Sequence, residues 1–415
     1  MTTRREFLTR GLALGAAGLW LPQGRAEGLF DIPVPTLPPG DVEQSVMATL
    51  PGKRPLIKRT WRPANFETPV ALFDRSDFTP NDAFFVRWHL ADLPEANDPR
   101  LAETNYVLKI GGDAVENPLS LSLPQLKREF EQVELVAVCQ CSGNRRGLVQ
   151  PHVAGVEWGY GAMGQARWRG VRLRDVLNRA RLRKEALEVV YDGLDRPVLE
   201  KTPDFIKSLP VWKALDENTL LAWEMNGEPL PYHNGYPLRL VVPGWTATYW
   251  VKMISEINVV SKPYDGFWMK TAYRVPMGKF PVTDRFISQE VPGGPNTPIT
   301  EMVVNSLITN LEPNQKIRAG QWTEVRGIAW DGGRGIRLVE VSTDGGRSWQ
   351  PAELGRDLGN FAWRSWSYRF KPRKGRYGIL AKATNAAGST QTFQWIANPA
   401  GYHHNVIQRI DVEAV

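Results

Sequence analysis

The run Val133-Glu134-Leu135-Val136-Ala137-Val138-Cys139 leads straight into Gln140-Cys141-Ser142-Gly143-Asn144-Arg145-Arg146-Gly147. The first part, rich in valine and leucine, reads as a buried strand. Ser-Gly-Asn is turn chemistry, so the strand delivers Cys141 just past its end with two arginines beyond. Cations beside a cysteine favour thiolate over thiol in general, so Cys141 is a candidate soft metal ligand. Gly143 lets the backbone turn sharply beside a ligand. Arginine offers a fixed fork of donors suited to oxyanions. Metal ligation, nucleophilic catalysis and a pair of core cysteines beside a basic turn all fit this spacing. Cys139, which closes the apolar run, suits the core reading better.

Outward from this strand the pattern is mixed α+β with strands in excess. Strands are expected at Ala83–Leu90, Tyr106–Ile110, Leu187–Asp192 and Leu238–Val242, with a strand pair or bend over Trp250–Val260. Short helices are expected at Ser122–Phe130, Leu173–Arg179 and Leu209–Ala214. Residues 27–75 are Pro-rich and read as irregular surface chain. Pro276–Pro298 holds many Pro and Gly and reads as a linker. Beyond it only short strands are expected: Val303–Ile308, Gln321–Trp330, Ile336–Ser342, Trp363–Phe370, Tyr377–Thr384, Gln391–Trp395 and Asn405–Val412. That spacing suggests an immunoglobulin-like antiparallel sandwich. The expected division is 27–280 for the first domain and 281–415 for the second.

The chain of 415 residues suits two or three domains, and 42% hydrophobic with 23% charged residues is the balance of a folded protein. At the N-terminus, Arg4-Arg5 precedes Phe7-Leu8, a short apolar run from Leu12 to Trp20, and small residues at Gly24 and Ala26. About nine apolar residues are too few to span a bilayer. The pattern resembles a twin-arginine export signal over 1–26, which implies a periplasmic protein exported already folded. Its removal would lower the formal charge from +7 to +4. No Lys/Arg run marks a nucleic-acid face, so neither nucleic acid nor membrane is expected as a partner. Two cysteines separated by one residue are neither a disulfide scaffold nor a CxxC pair, and cannot hold a four-thiolate cluster. No haem attachment motif, Rossmann glycine pattern or P-loop occurs.

Three further groups carry chemistry. Arg87 and His89 alternate with Trp88, so one strand face would present both. His233-Asn234-Gly235-Tyr236-Pro237-Leu238-Arg239 and Lys252 lie on or beside successive strands, where Asn234, Arg239 and Lys252 could converge on a phosphate. Arg334 follows Asp331-Gly332-Gly333 on a turn of the second domain.

Together these segments resemble the sulfite oxidase family of molybdenum enzymes. The likeness rests on Cys141-Ser142-Gly143-Asn144-x-Arg146, Phe85-Val86-Arg87-x-His89, Trp168-Arg169-Gly170-Val171-x-Leu173-x-Asp175-Val176-Leu177, Tyr191-Asp192-Gly193, Met225-Asn226-Gly227, Gly235–Arg239 and Val251-Lys252. Within the family the chain is similar to the Sox sulfane dehydrogenase molybdenum subunits, on Asp195–Leu199, Thr202-Pro203-Asp204-Phe205, Phe267–Arg274 and Asn398–Tyr402. Arg145 departs from that branch, where serine is typical; sulfite oxidases carry the Arg-Arg pair.

The resemblance implies a molybdopterin domain followed by the sandwich, with molybdenum held by one molybdopterin dithiolene and the thiolate of Cys141. It implies Phe85, Arg87, His89, Ser142, Asp192, Asn234, Arg239 and Lys252 as cofactor contacts. It implies Arg87, Arg146 and Arg334 as substrate-anion arginines. It puts Phe205 where the family has an active-site tyrosine, leaving Asp204, water or the arginines to replace the phenol, since a phenyl ring donates no hydrogen bond. The implied reaction is oxidation of sulfite to sulfate, or of sulfane sulfur bound to a carrier protein. Electrons would pass to a c-type cytochrome, and the assembly would be a homodimer or a dimer of heterodimers. A cofactor-free binding module on the sandwich and a cysteine-nucleophile hydrolase are the readings from other classes. No histidine is convincingly paired with Cys141 for the latter.

Overall fold

The computed structural model describes residues 46–74, 76–280 and 296–415. The export signal expected over 1–26 lies outside the described residues. The first half is built on two five-stranded sheets and a smaller one. The sheet that presents the cysteines has a long antiparallel hairpin, Gln132–Gln140 with Met163–Arg172. Leu220–Met225 pairs with the second of these and in turn carries Arg239–Val241 and Glu228–Pro229. In the second sheet the order is Lys207–Pro210, Glu188–Asp192, Glu256–Val260, Val107–Gly111, Leu119–Ser122, with one parallel pair, Glu256–Val260 against Val107–Gly111. Its edge strand turns directly into the helix Leu123–Glu129. Ser122 and Gln125 close a reciprocal capping box there, and Pro124 stands in the first turn, where a missing N–H costs nothing. The helix Leu173–Ala180 buries Leu173, Val176, Leu177 and Ala180, one stripe at helical spacing, and frees its polar face.

Two expectations for the first half need correction. Residues 46–74 are not wholly irregular: Met47–Ala48, Leu56–Thr60 and Asn65–Glu67 form a four-stranded sheet with Val86–Arg87. The strand expected over Ala83–Leu90 shrinks to Val86–Arg87. Lys53 is the physical reason. Its buried ammonium takes the carbonyls of Asn81 and Phe84, so the chain there curls into a 3-10 turn (Asn81–Ala83) instead of extending.

The second half is mostly β. One sheet runs Asn305–Ile308, Thr323–Trp330, Arg364–Phe370, Glu353–Leu354. The other runs Lys316–Ile317, Gln408–Ala414, Gly375–Asn385, Ile336–Ser342, Gln350–Pro351. Ile308, Val325 and Trp366 of the first share one core with Val339, Ile379 and Ile410 of the second. The strand expected over Gln391–Trp395 is not formed; only Thr392 makes a bridge, to Val406. The Gln391 side chain takes the ladder's place, accepting from the Ala383 N–H (3.0 Å) and from Ser306 Oγ (2.7 Å). The linker expected over Pro276–Pro298 is pinned at both ends, because Arg274–Pro276 pairs antiparallel with Asn296–Pro298. Residues 281–295 lie outside the described chain. No helix among the described residues is long and apolar enough to cross a membrane.

Candidate cofactor and substrate site

The strand Gln132–Gln140 ends where the ladder runs out. One more bond, Cys141 N–H to Ala162 O (2.9 Å), fixes the next residue, and then the chain turns. Asn144 holds that turn from both ends: its N–H donates to Cys141 O, and its Oδ1 accepts from Ala162 N–H at 3.0 Å. Ser142 Oγ donates to Thr246 Oγ1 (2.9 Å), which ties the turn to the next loop. Cys141 is thereby placed in the wall of a cavity with some 620 Å³ of space not filled by atoms, part of it open to solvent.

Of the residues singled out from the sequence, Phe85, Arg87, His89, Cys141, Ser142, Asn234, Arg239 and Lys252 all line this cavity. Asn234 Nδ2 donates to Phe85 O (3.1 Å) and its Oδ1 accepts from Lys53. Arg239 donates to the carbonyls of Asn234 (2.8 Å) and Trp250 (3.3 Å). Lys252 donates to Arg87 O, and its ammonium stands 3.8 Å from the ring centroid of Trp88. Burial, and then Arg239 beside it, lowers Lys252 to about 7, with Asp195 pulling the other way. His233, also in the wall, is lowered to about 4 by burial and by Lys53 and Lys252. His89 is held well below its ordinary value by burial and by Arg87, Lys252 and Lys207. Cys139 lines the cavity too. Burial pushes its thiol up to about 11 against the pull of Arg239, which keeps it protonated.

Four of the expected residues stand elsewhere. Asp192 is off the wall, 3.5 Å from Arg196, and burial raises it to about 7. Its place is taken by Asp195, which is buried, lines the cavity and is raised by burial to about 6. Asp204 accepts from the Phe205 N–H and lies 3.6 Å from Arg196, outside the cavity. Arg146 lies behind the wall. Arg334 lines a separate groove with Glu301, Asp331 and Asn385. The Asp331 carboxylate gathers the N–H groups of Gly333, Arg334 and Gly335 and curls that turn onto the second domain.

The cavity carries a phenol all the same, from a segment the sequence reading did not place there. Phe205 lines the cavity, but its ring stacks on His89 at 3.5 Å and 11°. The hydroxyl is supplied by Tyr273, which lines the same cavity and hydrogen-bonds to His89 Nε2. Tyr273 and Asp195 are the site residues that the sequence reading missed as such. Both stand in segments quoted above only as family signatures.

The cavity fits a large polar cofactor. Four buried polar atoms in its lining have no partner among the described residues: Trp88 Nε1, His233 Nδ1, Arg239 Nε and Thr248 Oγ1. Buried donors and acceptors are nearly always satisfied, so a site with four orphans asks for a ligand that supplies them. Arg239 and Lys252 suit a phosphate, and Cys141 puts one sulfur beside it. Among the described residues no group of three or more His, Cys, Asp or Glu is placed to hold a metal. A metal here would have to bring most of its own ligands.

Comparison with known proteins agrees. Residues 95–268 match the oxidoreductase molybdopterin binding domain, and residues 296–415 match the Mo-co oxidoreductase dimerisation domain. The mitochondrial sulfite oxidase of Rattus norvegicus is 34% identical over 381 residues, 88% of this chain and 67% of its own length. Sulfite oxidase of Gallus gallus is 34% identical over 80% of this chain and 71% of its own. The chain thus spans about two thirds of the length of its mammalian relatives. The sulfane dehydrogenase SoxCD of Paracoccus pantotrophus superposes with a TM-score of 0.70 over 96% of this chain and 95% of that one, at 23% identity, a likeness of fold. With the paired domains, the matched relatives and a cysteine-lined polar cavity in agreement, the chain belongs to the sulfite oxidase family of molybdopterin oxidoreductases.

Proposed function

We propose that this enzyme oxidises sulfane sulfur presented on a carrier protein and passes the electrons to a c-type cytochrome. The fold-wide likeness to a sulfane dehydrogenase supports this reading. The observation that carries it is the apolar surface into which the cavity-lining segments continue. Asp195 lines the cavity, and Val198 and Leu199 just beyond it are 64% and 68% exposed. Trp268 packs on His89 and Phe205, and Phe267 beside it is 42% exposed. A free anion needs no such surface, whereas a docking protein does.

In this reading molybdopterin-held molybdenum, when bound, supplies a two-electron acceptor and the means of oxygen transfer. Cys141 would hold the metal as a thiolate. Arg239, Lys252, Asn234 and Asp195 would hold the pterin and its phosphate. Arg87 lies at the cavity wall with a fixed positive charge for the oxyanion that forms. The Tyr273 hydroxyl and neutral His89 are paired to pass or hold a proton at the sulfur oxygens as water is consumed. Aromatic rings (Phe205, Trp268, Trp250) keep bulk water from the reacting sulfur. Arg334, in its separate groove, has no part in this reading.

Free sulfite is the second reading, favoured by the 34% identity to sulfite oxidases. We also assign the second half to an immunoglobulin-like sandwich that pairs two copies, and residues 1–26 to periplasmic export. Steady-state turnover of the holoenzyme with both substrates, read as cytochrome reduction, separates the readings. The sulfane reading predicts that carrier-bound sulfur is turned over with the higher kcat/KM. Faster turnover of free sulfite without a carrier selects the second reading. Turnover of neither rejects both.

A further inference from the structure

A segment of the second domain, Asn398-Pro399-Ala400-Gly401-Tyr402-His403, reaches back to the site. Asn398 closes it into a compact loop: its Oδ1 accepts from Tyr402 N–H and its Nδ2 donates to Tyr402 O, both at 2.9 Å. The loop meets Arg146 closely. Arg146 Nε donates to Ala400 O (2.7 Å) and Nη1 to Val156 O (3.1 Å), while Nη2 has no partner among the described residues. A Cβ on Gly401 would come within 2.9 Å of Arg146 Cγ, and one on Gly143 or Gly155 within 2.6 Å of its guanidinium. The arginine is therefore fixed in a slot that admits no side chain. The Tyr402 ring fills the next place. The Arg146 guanidinium lies 5.2 Å from the Tyr402 centroid, and the Tyr402 ring itself stacks on the Tyr273 ring at 5.5 Å and 7°. Tyr273 then hydrogen-bonds to His89.

We propose that Tyr402 is a positioning residue contributed by the second domain: backed by the Arg146 guanidinium, its ring stacks on Tyr273 from outside the cavity and so holds the Tyr273 phenol toward a sulfur oxyanion in it. This rests on the reading of the cavity as an oxyanion site. A cation over a desolvated ring and a parallel aromatic stack are each strong enough to hold geometry without touching the ligand. The second domain then supports the cavity wall from behind, through Tyr273.

The test uses the holoenzyme and sulfate as probe, with binding measured by calorimetry and KM by steady-state rates. Tyr402→Phe keeps the ring and is expected to bind sulfate within about twofold of wild type. Tyr402→Met keeps volume but loses the ring, and is expected to bind about tenfold more weakly and to raise KM more than it lowers kcat. Tyr402→Leu serves the same purpose if the methionine variant does not fold. In a cycle with Tyr273→Phe the two losses are expected to be non-additive. Unchanged sulfate affinity in the ring-less variant, with only a lower Tm, overturns the proposal. So does a loss in Tyr402→Phe as large as in Tyr402→Met. Wild-type enzyme that binds no sulfate removes the oxyanion reading itself, and the proposal with it.

Discussion

At the scale of single residues, the site depends on a cation and a sulfur presented by neighbouring backbones. Arg87 is half-buried, with its guanidinium donating to Trp88 O and held beside Asn65. A charge-assisted bond to an oxyanion is worth about 1.5–3 kcal/mol. Arg87→Gln is therefore expected to lower kcat/KM by about 10- to 100-fold, mainly through KM, with Tm nearly unchanged. Equal kcat/KM would place the anion elsewhere. Cys141, Arg87, His89, Asn234, Arg239 and Lys252 were legible because short local motifs carry them: a strand end, an alternating triplet, a Gly-Tyr-Pro turn. Tyr273 was not. It sits at φ +59 in a bend reached only through tertiary packing, where Lys207 lies 5.0 Å from its ring, and no local pattern aims its hydroxyl at His89. For a similar reason Asp195 was not legible. The motif Tyr191-Asp192-Gly193 marks the strand end, yet the chain needs three more residues to come round into the wall.

At the scale of elements, the loop 398–406 is where buried chemistry is concentrated. His403 and His404 are both buried, and burial lowers each to about 3. Arg145 adds to the effect on His404. Each imidazole binds a proton at about pH 6.5 once unfolded. Between about 3 and 6.5 the unfolded chain thus binds protons that the folded chain refuses. Their contribution is present in full above about pH 6.5 and is lost as pH falls, by up to about 2 kcal/mol each at pH 5. Asp192 and Asp195, raised to about 7 and about 6, act in the opposite sense, so the bare pH profile is a balance. The difference between wild type and a His403→Asn/His404→Asn variant isolates the imidazoles. Asparagine tolerates the φ of +54 at position 403. Denaturant titrations at pH 7 and pH 5 are expected to show a smaller loss in the variant; an equal loss would mean that neither ring stays neutral in the folded state. Elements themselves were legible where one face is apolar. The hairpin strand Gln132–Gln140, the helix Leu173–Ala180 and the strand Ile336–Ser342 fall close to their expected bounds. Ala83–Leu90 and Gln391–Trp395 failed because side chains, Lys53 and Gln391, took the hydrogen bonds that a ladder would have used.

At the scale of the whole molecule, the two halves are joined through the turn that follows Cys141. Arg145 is buried at φ +70, and its guanidinium crosses into the second domain. There it donates to Val406 O at 2.9 Å and Ser306 O at 2.8 Å, and it lies 4.9 Å from the Tyr160 ring. Burial lowers its pKa to about 10, which leaves it charged. Arg145→Gln would strand two buried carbonyls, at about 1–3 kcal/mol each. Calorimetry is expected to show a lower Tm and a separation of the transitions of the two halves; a single unchanged transition would show that the arginine does not couple them. From sequence, Arg145 read as a basic turn residue beside a metal ligand. The division into a mixed domain and a mostly β domain was legible from where helical spacing stops. That the second domain would supply Ala400 and Tyr402 to the first domain's arginine was not, because those contacts span some two hundred and fifty residues of chain.

The claim beneath all of this is that the Cys141 sulfur binds a pterin-held molybdenum. X-ray absorption at the molybdenum edge, on holoenzyme of wild type and Cys141→Ser, reads that bond directly. The account predicts one fewer sulfur neighbour in the variant, with the dithiolene sulfurs retained and molybdenum still bound. An unchanged sulfur shell, with molybdenum fully loaded, would contradict it.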